Sequence, residues 1–169
     1  NGIKHPCENE KKFRSIMYKK KIDNSNVLLR SDSGSYMINY EINKFKKNNI
    51  VTAIIARLKS KRLKKKVMKK FHTNSLIVDL YSRVQTSTLS SKTILATSDL
   101  SEDYPIIELA KKNNMNYFSG HPISVIDRML QLAFKEKASA VIRVTGDNPF
   151  TDPYLIDSMI ELLKENKLD

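Results

Sequence analysis

A single cysteine, Cys7, stands in 169 residues, which excludes a disulfide framework within the chain and leaves no thiols at zinc-ligand spacing. A reducing compartment is the simpler expectation, and the cytoplasm the expected location. No apolar run approaches the roughly 20 residues that a membrane-spanning helix needs, and no secretory leader is visible, so a soluble protein without a membrane partner is expected. The histidines, His5, His72 and His121, are scattered and have no companions at metal or triad spacing; none receives a catalytic role. Ser60 lacks the context of a nucleophile elbow. Glycine is scarce, at four residues, against abundant lysine and asparagine. Acids are missing altogether between Arg57 and Lys70, where nine of fourteen residues are Lys or Arg.

The formal net charge of +12 is therefore local. Residues 1–50 carry +6, residues 57–70 carry +9 and residues 71–169 carry −3. Such a field draws in phosphate-bearing ligands or nucleic acid, whereas a lysine run taken alone is most often a solvated face. The length suits one domain with a real core and a small appendage. The chain opens on Asn1 and stops at Asp169 just after a helix-like segment, so the main domain reads as truncated at its C-terminus.

From residue 50 onward, apolar strands alternate with amphipathic segments. "IVTAIIA" (50–56) is short, apolar and β-branched, as a strand buried on both faces should be. "NSLIVDLYSRV" sets Leu76, Ile77, Leu80, Tyr81 and Val84 at helical spacing. "TILAT" (93–97), "NYFSG" and "SAVIRVT" (139–145) read as further strands. "EDYPIIELAKKNN" and "PISVIDRMLQLAFKEK" read as helices, the second with Val125, Met129, Leu132 and Ala133 inward. Asp152 as N-cap and Pro153 at the first turn open a last helix in "TDPYLIDSMIELLKENK". Regular alternation predicts a three-layer α/β domain with a mainly parallel sheet. Ligands of such sheets sit outside the carboxyl ends of the strands, which selects the loops after residues 56, 97, 119 and 145. Residues 1–49 form a separate basic module or linker, in which "SDSGS" is a turn or linker and "FRSIMYKKKI" pairs with "NVLLRSD" as a candidate hairpin.

Four segments, "AIIARLKSKRLKKKVMK", "ILATSD", "YFSGHPISVIDRMLQLA" and "VIRVTGDNPFTDPYLID", together resemble the cytidylyltransferase superfamily that makes CMP-activated sugars. The likeness is greatest to the spore coat polysaccharide biosynthesis protein F branch, related to the acylneuraminate and deoxy-octulosonate cytidylyltransferases. It covers residues 50–169 and implies a Rossmann-like nucleotidyltransferase fold of the nucleotide-diphospho-sugar transferase kind. It also implies CTP and a sugar, expected to be acidic, as substrates in surface polysaccharide or glycan synthesis, and a homodimer in the full-length protein. The family's loop after the first strand runs A-R-x-G-S-x-R-L-P-G-K and wraps the triphosphate; by position, Arg57, Ser60, Arg62 and Lys66 are its phosphate contacts here. Asp147, in "TGDNP", matches the aspartate that binds Mg²⁺. Arg57, Arg62, Lys66 and Asp147 form the implied catalytic set. Asp127 and Arg128 match the family's "VLDR" segment and are expected to shape the nucleotide or sugar pocket. Thr97, Ser98 and Asp99 are expected near the base or ribose.

Three departures bear on activity. Lys59 stands where the family has Gly, and Lys64 and Lys65 stand where it has Pro-Gly; glycines there permit positive φ and close backbone approach to phosphate. A truncated or inactive nucleotide-binding relative is therefore one alternative. A nucleic-acid-binding protein using the basic run as footprint is another, although aromatics do not interleave the run. Asp127 and Arg128 read otherwise as an exposed helical pair, Asp152 as a helix cap first, and Arg143 as the partner of a carboxylate. "ENEKKFRSIMYKKKIDNSNVLLRSD" bears a faint likeness to the SAF, or antifreeze-like, module of sialic-acid synthases. No general base is identifiable.

Overall fold

The computed structural model describes residues 26–31, 34–39, 46–59, 66–71 and 73–165. Strands β1 (Asn26–Ser31) and β2 (Gly34–Asn39) pair antiparallel. The segment "NVLLRS" thus takes "GSYMIN" as a partner. "FRSIMYKKKI", the expected partner, lies outside the described residues.

The main sheet is built from β3 (Lys46–Ile55), β6 (Lys92–Ser98), β7 (Tyr117–Gly120) and β8 (Ala138–Thr145). Its order is β7-β6-β3-β8, and every neighbouring pair is parallel. Between β3 and β6 lie the two-residue strands β4 (Lys70–Phe71) and β5 (Asn74–Ser75), an antiparallel pair, followed by helix α1 (Leu76–Val84). Helices α2 (Tyr104–Lys112), α3 (Val125–Glu136) and α4 (Pro153–Glu165) complete the alternation.

Period-two alternation along the strands decides which helix covers which face. Ile50 and Ile54 of β3, Leu95 of β6, and Ile142 and Val144 of β8 point to a face covered by α1, α2 and α4, through Ile77, Leu80, Val84, Ile106, Ala110, Ile156 and Ile160. Val51, Ala53, Ile94 and Ala96 point the other way and pack against Leu132 of α3. Full burial of each large aliphatic side chain contributes about 1.5–3 kcal/mol, so the three layers are held mainly by this interleaving. Leu132 is inward as expected, Val125, Met129 and Ala133 are half-buried, and Arg128 is the second fully buried position of α3.

Polar groups tie the connecting segments to the elements. Tyr81 donates its hydroxyl to the Thr93 carbonyl and accepts from the Asn116 amide, each at 3.0 Å. Asp152 accepts from the Tyr154 amide at 2.9 Å, the N-cap expected of it. Asp157 of α4 accepts four hydrogen bonds from the turn before β6: from the hydroxyls of Ser87 (2.5 Å) and Thr88 (2.9 Å) and from the amides of Thr88 (3.0 Å) and Leu89 (3.1 Å). Burial acts to raise its pKa, but these donors outweigh it and hold the carboxyl at about 2.

The folded value of Asp157 lies below that of an unfolded aspartate, so its stabilisation is complete above about pH 4 and is lost as pH falls from there toward about 2. Asp157→Ala is expected to lower stability at pH 7 by about 1–2 kcal/mol, with a smaller difference from wild type at pH 2.5. Urea denaturation at pH 7 and pH 2.5 checks both; equal midpoints at pH 7 would show that the turn is held by other contacts.

Candidate functional site

Because the sheet is parallel, the loops that follow β3, β6, β7 and β8 all leave from one edge. Backbone bonds continue the ladder past the strands: Ala56 donates to Ala96 at 3.0 Å, Gly146 to Ile55 at 2.9 Å and Asp99 to Gly120 at 2.9 Å. Gly146 sits so close to its neighbours that a Cβ there would lie 2.9 Å from Ala56 Cβ and 2.9 Å from the Ile55 carbonyl. Only glycine lets the β8 loop close onto β3 at that point, and this places Asp147 beside the root of the basic loop.

A cleft of about 800 Å³ opens between these loops, within the range of small-molecule sites. Arg57, Lys59, Lys66, Arg128 and Arg143 bring five cationic side chains to its lining, against Glu102, Asp103 and Asp147. Lys66 Nζ approaches Asp147 Oδ2 at 3.4 Å, both side chains partly exposed, an ion pair of modest strength in that setting. Burial acts upward on Asp147, but the hydrogen bond and charge of Lys66, with further bonds from Thr145 and the backbone, carry its pKa below the ordinary value. It is a carboxylate at neutral pH. Lys59 has no positive φ, since among the described residues only Asn114 and Lys137 are non-glycine positions of that kind; the residue replacing the family glycine therefore adopts ordinary backbone. Ser60, Arg62, Lys64 and Lys65 lie outside the described residues.

The remaining sequence-derived positions divide. Arg128 is 1% exposed, which overturns the exposed-pair reading. Its Nε and Nη2 donate to the His121 carbonyl at 3.1 and 2.7 Å, and Nη2 also reaches the Pro122 carbonyl at 3.3 Å. Burial pushes the guanidinium below its ordinary pKa, Asp103 opposes that shift, and the charge of Arg57 adds to it; it stays a cation, as arginine does in proteins. Asp127 is not among the cleft residues: its Oδ2 is buried, has no hydrogen-bond partner and lies 3.9 Å from His121 Nε2. Thr97 and Ser98 are also not among the cleft-lining residues. Thr97 is fully buried and Ser98 is 1% exposed, and the Ser98 hydroxyl is bonded to Asp103. Arg143 lines the cleft and is exposed, with no carboxylate partner among the described residues, so the expected strand-internal ion pair is absent there.

Two residues carry more of the site than their sequence context signals. His121 Nδ1 accepts from the Ser124 amide at 2.8 Å and the Ile123 amide at 3.3 Å, shaping the turn into α3. Asp103, buried at 1% exposure, accepts from the Leu58 amide at 2.6 Å. In sequence Asp103 looks like a helix-start acid, the one available signal, but its side chain makes no cap bond to α2.

At the end of β8 a metal would find one cleft-lining carboxylate, Asp147. No cluster of three or more acidic, His or Cys ligands occurs among the described residues. That donor set suits a hard cation that takes most of its oxygens from substrate phosphates and water.

Four parallel strands with helices on both faces and a cationic cleft at the carboxyl edge define a Rossmann-like nucleotidyltransferase fold. Residues 51–169 match the family model for cytidylyltransferases, and the chain belongs to that family. Over 118 residues it is 37% identical to the spore coat polysaccharide biosynthesis protein SpsF of Bacillus subtilis, covering 68% of this chain and 49% of that protein. A solved cytidylyltransferase from Leptospira borgpetersenii serovar Hardjo-bovis is similar with a TM-score of 0.67 and 27% identity, over 72% of this chain and 51% of that one. A CMP:2-keto-3-deoxy-manno-octonic acid synthetase complexed with CTP shares the fold, with a TM-score of 0.62 and 21% identity, over 70% and 48% of the two chains. The chain spans about half the length of the curated relatives it matches. Among the described residues no helix is long and apolar enough to cross a membrane.

Arg128→Leu is expected to cost about 3 kcal/mol of stability, because the carbonyls of His121 and Pro122 lose their donor inside the protein. Arg128→Lys is expected to recover less than half of that loss, since an ammonium cannot reproduce the planar fork. Thermal denaturation of the two variants measures both; an unchanged midpoint for Arg128→Leu would show that water replaces the guanidinium freely.

Proposed function

We propose that this chain binds CTP in the cleft and carries the nucleotide-binding part of a reaction that transfers CMP to a sugar, expected to be acidic, with release of pyrophosphate. The observation that carries the reading is the convergence of Arg57, Lys59, Lys66 and Asp147 at one edge of a parallel sheet in a chain of the cytidylyltransferase family. A triphosphate brings about four negative charges, which several cations and hydroxyl or backbone donors must match. Arg57 and Lys66 take phosphate oxygens at the cleft, and Ser60 and Arg62 are assigned to the same task by their place in the loop motif. Glu102 and the exposed Leu100 and Ile123 also line the cleft, where a base or sugar ring can pack. Arg143 suits a carboxylate of the acceptor.

In the proposed reaction a sugar hydroxyl oxygen attacks the α-phosphorus in line, the bond from that phosphorus to the bridging oxygen breaks, and pyrophosphate leaves with the bond electrons. The hydroxyl proton passes to solvent or to a base that the described residues do not identify. Arg57, Arg62 and Lys66 stabilise the charge that grows on the phosphoryl oxygens. Asp147, already ionised and set beside Lys66, would hold Mg²⁺ together with phosphate oxygens; such an ion neutralises phosphate charge and orients the leaving group. No covalent intermediate on the protein is required. The likeness to a spore coat polysaccharide biosynthesis protein supports surface polysaccharide synthesis as the context, and the cytoplasm is the location proposed for it. A homodimer belongs to the same proposal.

Calorimetric titration with CTP, UTP, GTP and ATP, with and without Mg²⁺, tests the reading. Binding that prefers CTP, needs Mg²⁺ and weakens roughly tenfold or more in Asp147→Ala and Arg62→Ala is the expected result. Equal binding of all four nucleotides, or no loss in either variant, would overturn it, and tight salt-sensitive binding of random RNA instead would favour the nucleic-acid alternative.

A further inference from the structure

The first loop of the site is not held by glycine geometry, and something else must fix its backbone. Leu58 follows Arg57 directly, and its side chain is buried at 6% exposure. Its amide would be a buried donor with no strand partner, because the backbone ladder of this segment makes its last bond at Ala56, to Ala96. Asp103 answers that amide. Oδ1 accepts from Leu58 N at 2.6 Å, while Oδ2 accepts the Ser98 hydroxyl at the end of β6. Both carboxyl oxygens are thus occupied by groups outside the residue's own helix, although Asp103 stands at the N-cap position of α2, where an aspartate ordinarily bonds the first free amides. Its backbone amide is bonded to Leu100 in the short turn of Ser101–Asp103. One side chain therefore joins the root of the basic loop, the end of the second core strand and the start of α2.

We propose that Asp103 is a positioning residue that latches the Leu58 amide and so sets the direction in which Arg57 and Lys59 enter the cleft. The inference rests on the reading of that loop as the triphosphate cradle. It assigns Ser98 to the same latch, as the group that orients the second carboxyl oxygen, rather than to contact with base or ribose. Burial keeps water from substituting for either bond, so loss of the carboxyl frees the loop root while the strands beneath remain packed. An asparagine can keep the geometry: its oxygen accepts from Leu58, and its amide nitrogen donates to the Ser98 oxygen. An alanine cannot.

Hydrogen exchange of the Leu58 amide and the affinity for Mg²⁺-CTP, measured together on the whole chain as wild type, Asp103→Ala, Asp103→Asn and Ser98→Ala, decide the matter. In Asp103→Ala, Leu58 exchange is expected to rise about tenfold and CTP affinity to fall about tenfold, with the Leu95 amide in the core unchanged. Asp103→Asn is expected to restore both to within about threefold of wild type, and Ser98→Ala to fall between the two. Should Asp103→Ala unfold the chain, the Asn and Ser98 variants still discriminate: a Ser98→Ala protein with wild-type Leu58 protection and affinity overturns the latch. Faster Leu58 exchange with unchanged affinity overturns the positioning role. A wild-type chain that protects Leu58 but binds no CTP overturns the nucleotide reading instead, and the positioning role with it.

Discussion

Strand β3 is paired in parallel with β6 on one side and with β8 on the other, in register from Ile55 to Ala96 and from Ile55 to Thr145. Parallel pairing aims the three carboxyl ends the same way, and the register stops them at nearly the same height. Arg57, Asp99 and Asp147 consequently emerge at one edge although they are far apart in sequence. The close approach of Gly146 to Ile55 and Ala56 tightens this arrangement, since any side chain there would push the two loops apart. Packing on both faces holds the register in turn: a shift of one residue would send Ile54 and Leu95 to the face now filled by Ala53, Ile94 and Leu132.

Charge in the cleft is organised by burial as much as by number. Arg128 is enclosed and directed at backbone carbonyls, so it builds the turn from His121 to Ser124 and contributes a fixed positive field. Arg57, Lys59 and Arg143 are exposed at the lining and free to follow a ligand. Lys66 occupies a middle position, bonded to Asp147 at a length that a competing phosphate or cation would readily disrupt. A basic loop of nine cations is therefore not nine equivalent contacts, and the described part of it separates lining from solvated surface.

Much of the architecture was legible because it follows from patterns that are local in sequence. The β-branched run at 50–56, the helical spacing of Leu76 to Val84 and the Asp152–Pro153 start signal each describe an element that forms where expected. The pairing of Asn26–Ser31 with Gly34–Asn39 was not anticipated, because two short strands separated by a few residues carry little pattern that marks their pairing. The alternative reading of Arg128 as exposed rested on the rule that charge on an amphipathic helix ordinarily faces water. Carbonyls contributed by the preceding turn, with the charge of Asp103, make its burial tolerable. Asp103 was read as a helix-start acid for a similar reason, since Leu58 and Ser98 are remote in the chain.

The sequence by itself determined the alternation of strands and helices, the edge at which a ligand would sit, and the likeness to the cytidylyltransferases carried by "ARLKSKR" and "VTGDNP". These are consequences of periodicity, capping and motif order, all readable along one dimension. Tertiary structure alone decided which polar side chains serve the cleft and which serve the scaffold. It turned Ser98 and Asp103 toward each other, enclosed Thr97 and Arg128, and left Arg143 open to the ligand side. The reason is physical: a polar group's role depends on the donors, acceptors and water around it, and for these residues the partners come from segments that only the fold brings together.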